Sequence, residues 1–162
     1  MDISKTEPGD KDSVNVFIEC VKDSKDFYEY DSETDTFTLR RVLDLPFPGV
    51  YGFVPKTHHI DAEPLDVLVL ISNNIQQSVV LPARPVGVIR IKGNVPDDIL
   101  IAVPIVDKSF EGIDDISKIN NLEEIKRFLE TFKGSHVEFV FDVNHAKKSI
   151  EAAINLYKKE FE

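Results

Sequence analysis

The sequence predicts a mainly β protein with flanking helices, in which a closed antiparallel barrel carries two helices from the C-terminal third. Short apolar runs separated by turn residues fill positions 14–104, a pattern typical of barrels. After position 120 the apolar residues recur at helical spacing instead. The chain has 162 residues and 42% hydrophobic content, which fits a single domain, 1–162, with one core. These observations predict an α+β fold.

The predicted barrel strands follow one another with turn signals between them. Residues 14–21 form the first β-rich run, and runs over 27–30 and 36–41 form a hairpin because the residues between them are turn formers. Four more runs follow, at 67–71, 79–82, 85–91 and 99–104. Ahead of the barrel, residues 1–13 are polar and contain a Pro-Gly turn, so we expect a loose N-terminal arm.

The last third of the chain changes to helical spacing. Asn121 is the predicted N-cap of a helix over 122–133, and Glu124 completes a capping box with it. The glycine that follows ends this helix. Its inward residues are Leu122, Ile125, Phe128, Leu129 and Phe132. Residues 136–143 alternate as a strand, and a second helix over 146–157 completes the chain. This helix turns inward Ile150, Ala153, Ile154 and Tyr157.

The acidic composition excludes two classes of partner. The net charge is −10, so a phosphate backbone or an anionic membrane would be repelled over most of the surface. We therefore expect no nucleic-acid partner and no membrane. A run of about 18 apolar residues is absent, the first residues are too polar for a signal peptide, and Cys20 has no second cysteine. These features favour the cytoplasm.

The most informative segment is an acidic loop over residues 61–66. It contains Asp61, Glu63 and Asp66, and Pro64 stiffens it so that the carboxylates cannot simply move apart. Carboxylate oxygens select hard divalent cations such as Mg²⁺, Mn²⁺ or Ca²⁺. The alternative is a solvated acidic turn that caps a strand. The apolar run that follows favours the metal site, because it would bury the base of the loop and hold its carboxylates in place.

Two adjacent histidines, His58 and His59, precede the acidic loop. Together they suggest a transition-metal site. Adjacent residues on a strand rarely chelate one ion together, so we interpret both as surface or loop residues.

Motifs on both sides of the acidic loop occur in a distinctive order. They are Val16-Phe17-Ile18-Glu19, Tyr28-Glu29, Arg41, Pro48-Gly49-Val50-Tyr51-Gly52-Phe53, the acidic loop itself, Arg84-Pro85-Val86-Gly87-Val88 and Phe132-Lys133. In this combination the chain resembles the soluble family I inorganic pyrophosphatases. The resemblance implies a five-stranded, OB-like barrel with flanking helices and a homo-oligomer. It also implies Mg²⁺-dependent hydrolysis of pyrophosphate to two phosphates, with Mn²⁺ as a second candidate cofactor.

The resemblance also assigns roles to individual residues. The implied metal-binding residues are Asp61, Asp66, Asp97 and Glu19. The implied catalytic residues are Glu63, Asp66, Arg41 and Tyr51. The implied substrate-binding residues are Arg41, Tyr51, Lys133 and Glu29. Glu63 stands where the family has an aspartate beside the attacking water. The alignment of the second acidic loop leaves Asp98 as an alternative to Asp97.

The chain departs from the family pattern at several phosphate-binding positions. Two family lysines align with Phe27 and Ile99, and two tyrosines align with Phe47 and Phe132. The loop over 93–98 also has fewer acidic residues than the family pattern. Two functions therefore stay open. One is a working pyrophosphatase with a trimmed site, and the other is a degenerate relative that binds metal or phosphate or serves as an assembly subunit. The retained carboxylates favour the enzyme. Buried charges without partners destabilise a fold, so a chain that no longer used them in chemistry should lose them.

Overall fold

Five strands close on themselves to form the barrel of this protein, which a computed structural model describes over residues 3–161. The described strands are β1 Val14–Cys20, β2 Asp26–Asp31, β3 Thr36–Val42, β4 Val50–Val54, β5 Leu65–Val69, β6 Val80–Ile91, β7 Asp97–Pro104 and β8 Val137–Phe141. The described helices are α1 Leu122–Lys133 and α2 Val143–Phe161, with short 3₁₀ turns at Ile3–Lys5, Lys108–Phe110 and Ile116–Lys118. The mainly β class with two flanking helices is confirmed.

The barrel has the strand order β1-β4-β5-β7-β6, and β6 pairs back with β1 to close the ring. Strand β8 adds to β6 outside the ring, and β2 and β3 form a separate hairpin. The five-stranded OB-like barrel is thus confirmed, but its predicted all-antiparallel pairing is wrong. Strands β5 and β7 run parallel, because the chain passes beyond the position of β7 to form β6 and then returns antiparallel to it.

Strand β6 unites two of the predicted runs. Residues 80–83 pair with β1, and the rest of the strand pairs with β7 and β8. The pairing with β7 shifts register between Pro85 and Gly87. A proline lacks the N–H that a ladder needs, so it is tolerated in a strand at such an irregularity. The two predicted runs are separated at residues 83–84, just before this irregularity, although the strand continues through them.

Strand β4 was not predicted. A Cβ atom added at Gly52 would lie 1.8 Å from the backbone oxygen of Phe17 in β1. Glycine at this position therefore reflects the close approach of two strands. In the sequence, Gly52 looks like part of the turn-forming segment that begins with the prolines and glycine of residues 46–49. The strand can therefore be recognised only from its pairing with β1.

The helices differ from the prediction at their starts. α1 has the predicted bounds, and Gly134 ends it in the left-handed region at φ 72°. The predicted capping box is wrong, because Asn121 makes no side-chain cap bond. α2 begins three residues earlier than predicted and extends to Phe161. The reason is Asp142, whose Oδ1 accepts a hydrogen bond of 3.0 Å from the backbone N of His145 and so caps the helix.

The described part of the N-terminal arm, residues 3–13, is packed against the barrel. Ile3 is buried, and the backbone N of Asn15 donates to the Pro8 oxygen at 3.0 Å. Glu7 forms an ion pair of 3.0 Å with Lys56. This part of the arm is therefore held by apolar, hydrogen-bonding and charged contacts. Met1 and Asp2, which the prediction also included, lie outside the described residues.

Two apolar clusters make up the core. One joins the barrel strands to α1 through residues such as Phe128 and Leu129, and the other joins them to α2 through Ala146 and Ile150. Neighbouring residues of β5 and β7 alternate between the two clusters, as expected for strands buried on both faces. None of the helices within residues 3–161 is long and apolar enough to cross a membrane.

Candidate active site

A cavity of about 680 Å³ lies beside the barrel, where several acidic segments meet. Its walls come from β1, β2, β4, the acidic loop, β5, β7 and α1. All the predicted site residues except Arg41 line it, namely Glu19, Glu29, Tyr51, Asp61, Glu63, Asp66, Asp97 and Lys133. Segments that are distant in the chain therefore meet at one place.

The acidic loop is a tight turn closed by its own backbone. The backbone N of His59 donates to the Glu63 oxygen at 2.8 Å, and that of Ala62 donates to the His59 oxygen at 2.9 Å. Asp61 Oδ1 accepts from the backbone N of Glu63 at 2.9 Å. Ala62 has a left-handed conformation at φ 64°. These bonds keep Asp61 and Glu63 exposed and close together on the cavity side.

Strand β7 presents its two aspartates to different surroundings. Asp97 lines the cavity, whereas Asp98 is buried against Arg90 of β6. Successive side chains of a strand point to opposite faces, so only one of the two can reach the acidic loop's carboxylates. Of the two alternatives, Asp97 is the one that the geometry supports as a site residue.

Lys133, the last residue of α1, holds two of the predicted metal ligands. Its Nζ lies 3.0 Å from Asp97 Oδ2 and 3.8 Å from Asp66 Oδ2. The ammonium thus supplies positive charge between two carboxylates that would otherwise repel each other. Within residues 3–161, no three His, Cys, Asp or Glu side chains are arranged to hold an ion by themselves. The chemistry of the donors still fits a hard cation, since the cavity collects carboxylates from four segments.

Burial perturbs the carboxyl groups at the base of the cavity. Loss of solvation raises the pKa of Glu19 to about 8, although the backbone N of Tyr30 donates to its Oε2 at 2.8 Å. Desolvation likewise raises the pKa of Asp66 to about 6, and Lys133 reduces that effect. Neither carboxyl group has enough positive charge nearby to stabilise its ionised form. A bound cation would supply that charge.

The hydroxyl of Tyr51 is buried and makes no hydrogen bond of normal geometry in the described structure, although the Asp66 carboxylate is close enough to interact with it. Burial, and secondarily the charges of Asp66 and Asp97, raise the pKa of this tyrosine well above its ordinary value. The hydroxyl therefore stays protonated and is a donor. A buried donor without a well-formed hydrogen bond costs free energy, and an acceptor placed beside this hydroxyl would lower that cost.

Arg41 is not among the described residues that line the cavity. Its guanidinium donates to the backbone oxygen of Phe132 and lies 5.5 Å from the centre of that ring. The side chain is thus anchored next to Lys133 and outside the lining. Its predicted contact with phosphate stays a prediction.

The cavity also has walls that the sequence did not indicate. Lys56, Ile3 and Tyr157 line it together with the acidic residues. Lys56 has a left-handed backbone at φ 55° and is paired with Glu7. No local sequence signal marks these residues, because the N-terminal turn and α2 reach the cavity only through the fold. Phe27, which the resemblance aligns with a family lysine, lies on the cavity wall against Phe132 at 4.9 Å between ring centres.

Comparison with known proteins agrees with this arrangement. The family model described as inorganic pyrophosphatase matches residues 16–160. The chain belongs to the inorganic pyrophosphatase family. Among relatives of this family, the inorganic pyrophosphatase of Haloferax volcanii is 36% identical, with 97% of this chain and 95% of the relative covered. The predicted resemblance to the soluble family I pyrophosphatases is confirmed.

Solved structures of inorganic pyrophosphatases also share the fold. The crystal structure of the Thermus thermophilus protein matches with a TM-score of 0.88 and 32% identity, over 98% of this chain and 99% of the other. The Helicobacter pylori pyrophosphatase matches with a TM-score of 0.89 and 36% identity, over 95% and 99% of the two chains. The similarity to pyrophosphatases therefore extends through the barrel and both helices.

The raised pKa values in this pyrophosphatase-family site predict a pH dependence of stability. A carboxyl group with a raised folded-state pKa contributes stability below its unfolded value, 4.5 for Glu19 and 3.8 for Asp66. That contribution is lost as pH rises through about 6 for Asp66 and about 8 for Glu19. We expect the melting temperature of the metal-free protein, measured by calorimetry in EDTA, to fall by roughly 10 °C or more between pH 4.5 and 8.

Glu19→Gln provides the control for this prediction, because its amide oxygen can still accept from Tyr30 while its charge is removed. In the Glu19→Gln variant, the melting temperature should no longer fall as the pH rises above 6. Saturating Mg²⁺ at pH 8 should raise the parent's melting temperature by mass action. A parent whose metal-free stability is flat or rises from pH 4.5 to 8 would contradict the assignment of these groups.

Proposed function

We propose that this chain hydrolyses inorganic pyrophosphate to two phosphates with Mg²⁺, and that Mn²⁺ can substitute. The observation that carries the proposal is the meeting of carboxylates from four chain segments in one cavity, with Lys133 between two of them. The names of the Haloferax volcanii relative and of the two solved structures support pyrophosphate as the substrate. A polyanion can enter an acidic cavity only when cations reverse its local charge.

Four carboxylates have the chemistry to hold the cations: Asp61, Asp66, Asp97 and Glu19. All are oxygen donors, which hard divalent metals prefer. When bound, Mg²⁺ neutralises charge on the phosphoryl oxygens and makes water a better nucleophile. Glu19 would act in its ionised form, which its burial now disfavours and a neighbouring cation would favour.

The remaining residues of the cavity then serve the substrate. Glu63 takes the proton that the attacking water loses as it forms a bond to one phosphorus atom. The bridging P–O bond breaks, and the second phosphate leaves with its electron pair. Tyr51 donates a hydrogen bond to a phosphoryl oxygen, which gives its buried hydroxyl an acceptor. Lys133 and Arg41 neutralise phosphate oxygens, and Glu29 orders the water or metal that accompanies the substrate.

Phosphate release from pyrophosphate by the purified chain tests this function. We expect release with millimolar Mg²⁺ or Mn²⁺ and none when EDTA replaces the metal. A parent protein that releases no phosphate with either metal would refute the enzymatic proposal. If such a protein still bound Mg²⁺ by calorimetry, the result would favour the degenerate relative that binds metal without turnover.

Three other expectations stay predictions beside this function. We infer a homo-oligomer, a proposal supported by exposed apolar side chains such as Val106, 87% exposed, and Phe139, 52% exposed. We also infer a cytoplasmic location, supported by the single cysteine. The net charge of −10 supports the expectation that nucleic acid is not a partner.

A further inference from the structure

A second charged cluster lies beside the cavity and outside its lining. Asp98 is buried, with 4% of its side chain exposed, and accepts two hydrogen bonds from Arg90, 2.7 Å from Nε and 2.9 Å from Nη2. His59 Nε2 contacts the same carboxylate at 3.5 Å. Burial alone would raise the pKa of Asp98, but the contacts with Arg90 and His59 hold it at about 2. The carboxylate is therefore an anion shared by the Arg90 guanidinium and the His59 ring.

The Asp98 end of the cluster is part of the rigid barrel. Arg90 and Asp98 lie opposite each other in the β6–β7 ladder. The guanidinium of Arg90 lies 4.9 Å from the centre of the Phe141 ring on β8, and Phe141 stacks on His145 of α2 at 3.8 Å. The Arg90 guanidinium is thus held by Asp98 of β7 and Phe141 of β8, and its two hydrogen bonds fix the orientation of the Asp98 carboxylate.

The His59 end of the cluster lies just before the acidic loop and is bonded to it through the backbone. Its backbone N and O make the two hydrogen bonds that close the turn containing Asp61 and Glu63. The ring therefore connects this turn to a residue adjacent to Asp97. Without such a connection the turn that carries Asp61 and Glu63 would have only its own short-range bonds to resist repulsion between these carboxylates.

We propose that His59, Asp98 and Arg90 act as a positioning cluster, which holds the acidic loop at a set distance from Asp97 so that one cation can contact both. The proposal rests on the metal-dependent function inferred above. None of the three residues lines the cavity, so they act through the carboxylates and not on the substrate. Groups that orient metal-binding carboxylates in this way change affinity when they are removed, even though they never contact the ion.

The preceding histidine offers a matched comparison. His58 is adjacent in sequence and also contacts a carboxylate, with its Nδ1 2.8 Å from Glu160 Oε2. Its ring packs against Tyr157 and Phe161 of α2. His58 therefore connects the segment before the acidic loop to α2, whereas His59 connects it to Asp98 of β7. Both histidines lie outside the helices and strands, as predicted for loop residues, and the structure adds these contacts.

The test compares His59→Asn, His59→Gln, Asp98→Asn and the control His58→Asn. The amide nitrogen of glutamine can take the position of His59 Nε2 and reach Asp98, whereas that of asparagine is too short. Mg²⁺ affinity is measured by titration calorimetry and turnover at saturating Mg²⁺ by phosphate release. We expect His59→Asn and Asp98→Asn to weaken Mg²⁺ binding about 10- to 100-fold. His59→Gln should keep most of the affinity, and His58→Asn should bind Mg²⁺ like the parent.

A double variant, His59→Asn with Asp98→Asn, shows whether the two residues act together. If they do, the second substitution should add little to the loss caused by the first. Asp98→Asn leaves Arg90 without an anionic partner and can therefore destabilise the fold. If this variant does not fold, the difference in Mg²⁺ affinity between His59→Asn and His59→Gln tests the proposal on its own.

The proposal is overturned if folded His59→Asn binds Mg²⁺ as tightly as the parent, if His58→Asn loses as much affinity, or if the parent binds no Mg²⁺. Failure of the proposed function is a separate outcome. A parent that binds Mg²⁺ without releasing phosphate would refute hydrolysis, while the affinity differences among the variants would still support the positioning cluster.

Discussion

Asp66→Asn should abolish metal-dependent phosphate release while leaving the protein folded. Asp66 lies at the end of the acidic loop, lines the cavity and is paired with Lys133. An amide of the same shape cannot supply the anionic oxygen that a hard cation requires. We expect turnover to fall by at least about 100-fold, the range found when a group that stabilises transition-state charge is removed. Phosphate release at saturating Mg²⁺ measures the loss.

The stability of the same variant separates a functional loss from an unfolded protein. Burial raises the pKa of Asp66 to about 6, so at pH 8 the folded state carries an anion that it disfavours. Asparagine removes that charge, and the metal-free melting temperature at pH 8 should therefore not fall. Asp114→Asn is the matched control, because it breaks an exposed pair of 2.9 Å with Lys118 away from the cavity. If folded Asp66→Asn released phosphate as fast as the parent, the assignment of this cavity as the active site would be contradicted.

Lysine substitution of two neighbouring residues in β7 should have opposite outcomes. Ile99 and Leu100 are both fully buried. Ile99 lies beside Asp66 in the parallel ladder and packs in the cluster that contains Tyr51, whereas Leu100 faces the other cluster. In Ile99→Lys the ammonium can pair with the Asp66 carboxylate. In Leu100→Lys it meets an apolar interior, where an unpaired charge is strongly destabilising.

We therefore expect Leu100→Lys to be unfolded or destabilised by at least about 3 kcal/mol, the cost of an uncompensated buried charge. Ile99→Lys should stay folded and should hydrolyse pyrophosphate faster than the parent, because it returns a cation to the position of a family lysine. Thermal unfolding and phosphate release distinguish the two variants. If Ile99→Lys unfolds as readily as Leu100→Lys, position 99 is apolar core without access to the site.

The chemistry of the site was largely predictable, since it depends on residue types in short segments. Three carboxylates within 61–66 repel one another unless a cation or solvent offsets their charge, whatever the fold around them. The family resemblance added residues from other segments, and all of these but Arg41 line one cavity. Arg41 is the exception, because a long side chain on an exposed hairpin strand can turn to several acceptors, and its contact with phosphate stays a prediction. Here it bonds to the backbone of Phe132.

The sequence by itself determined the bounds of α1, the mainly β class and the acidic loop, because helical spacing, strand composition and local charge density are properties of neighbouring residues. Only the tertiary structure decided the parallel pairing of β5 with β7, the choice of Asp97 over Asp98 for the cavity, and the contact of His59 with Asp98. These features depend on the register between strands that are distant in sequence. A shift of one residue would exchange the cavity and core faces of β7, and a single chain segment carries no information about its partner's register.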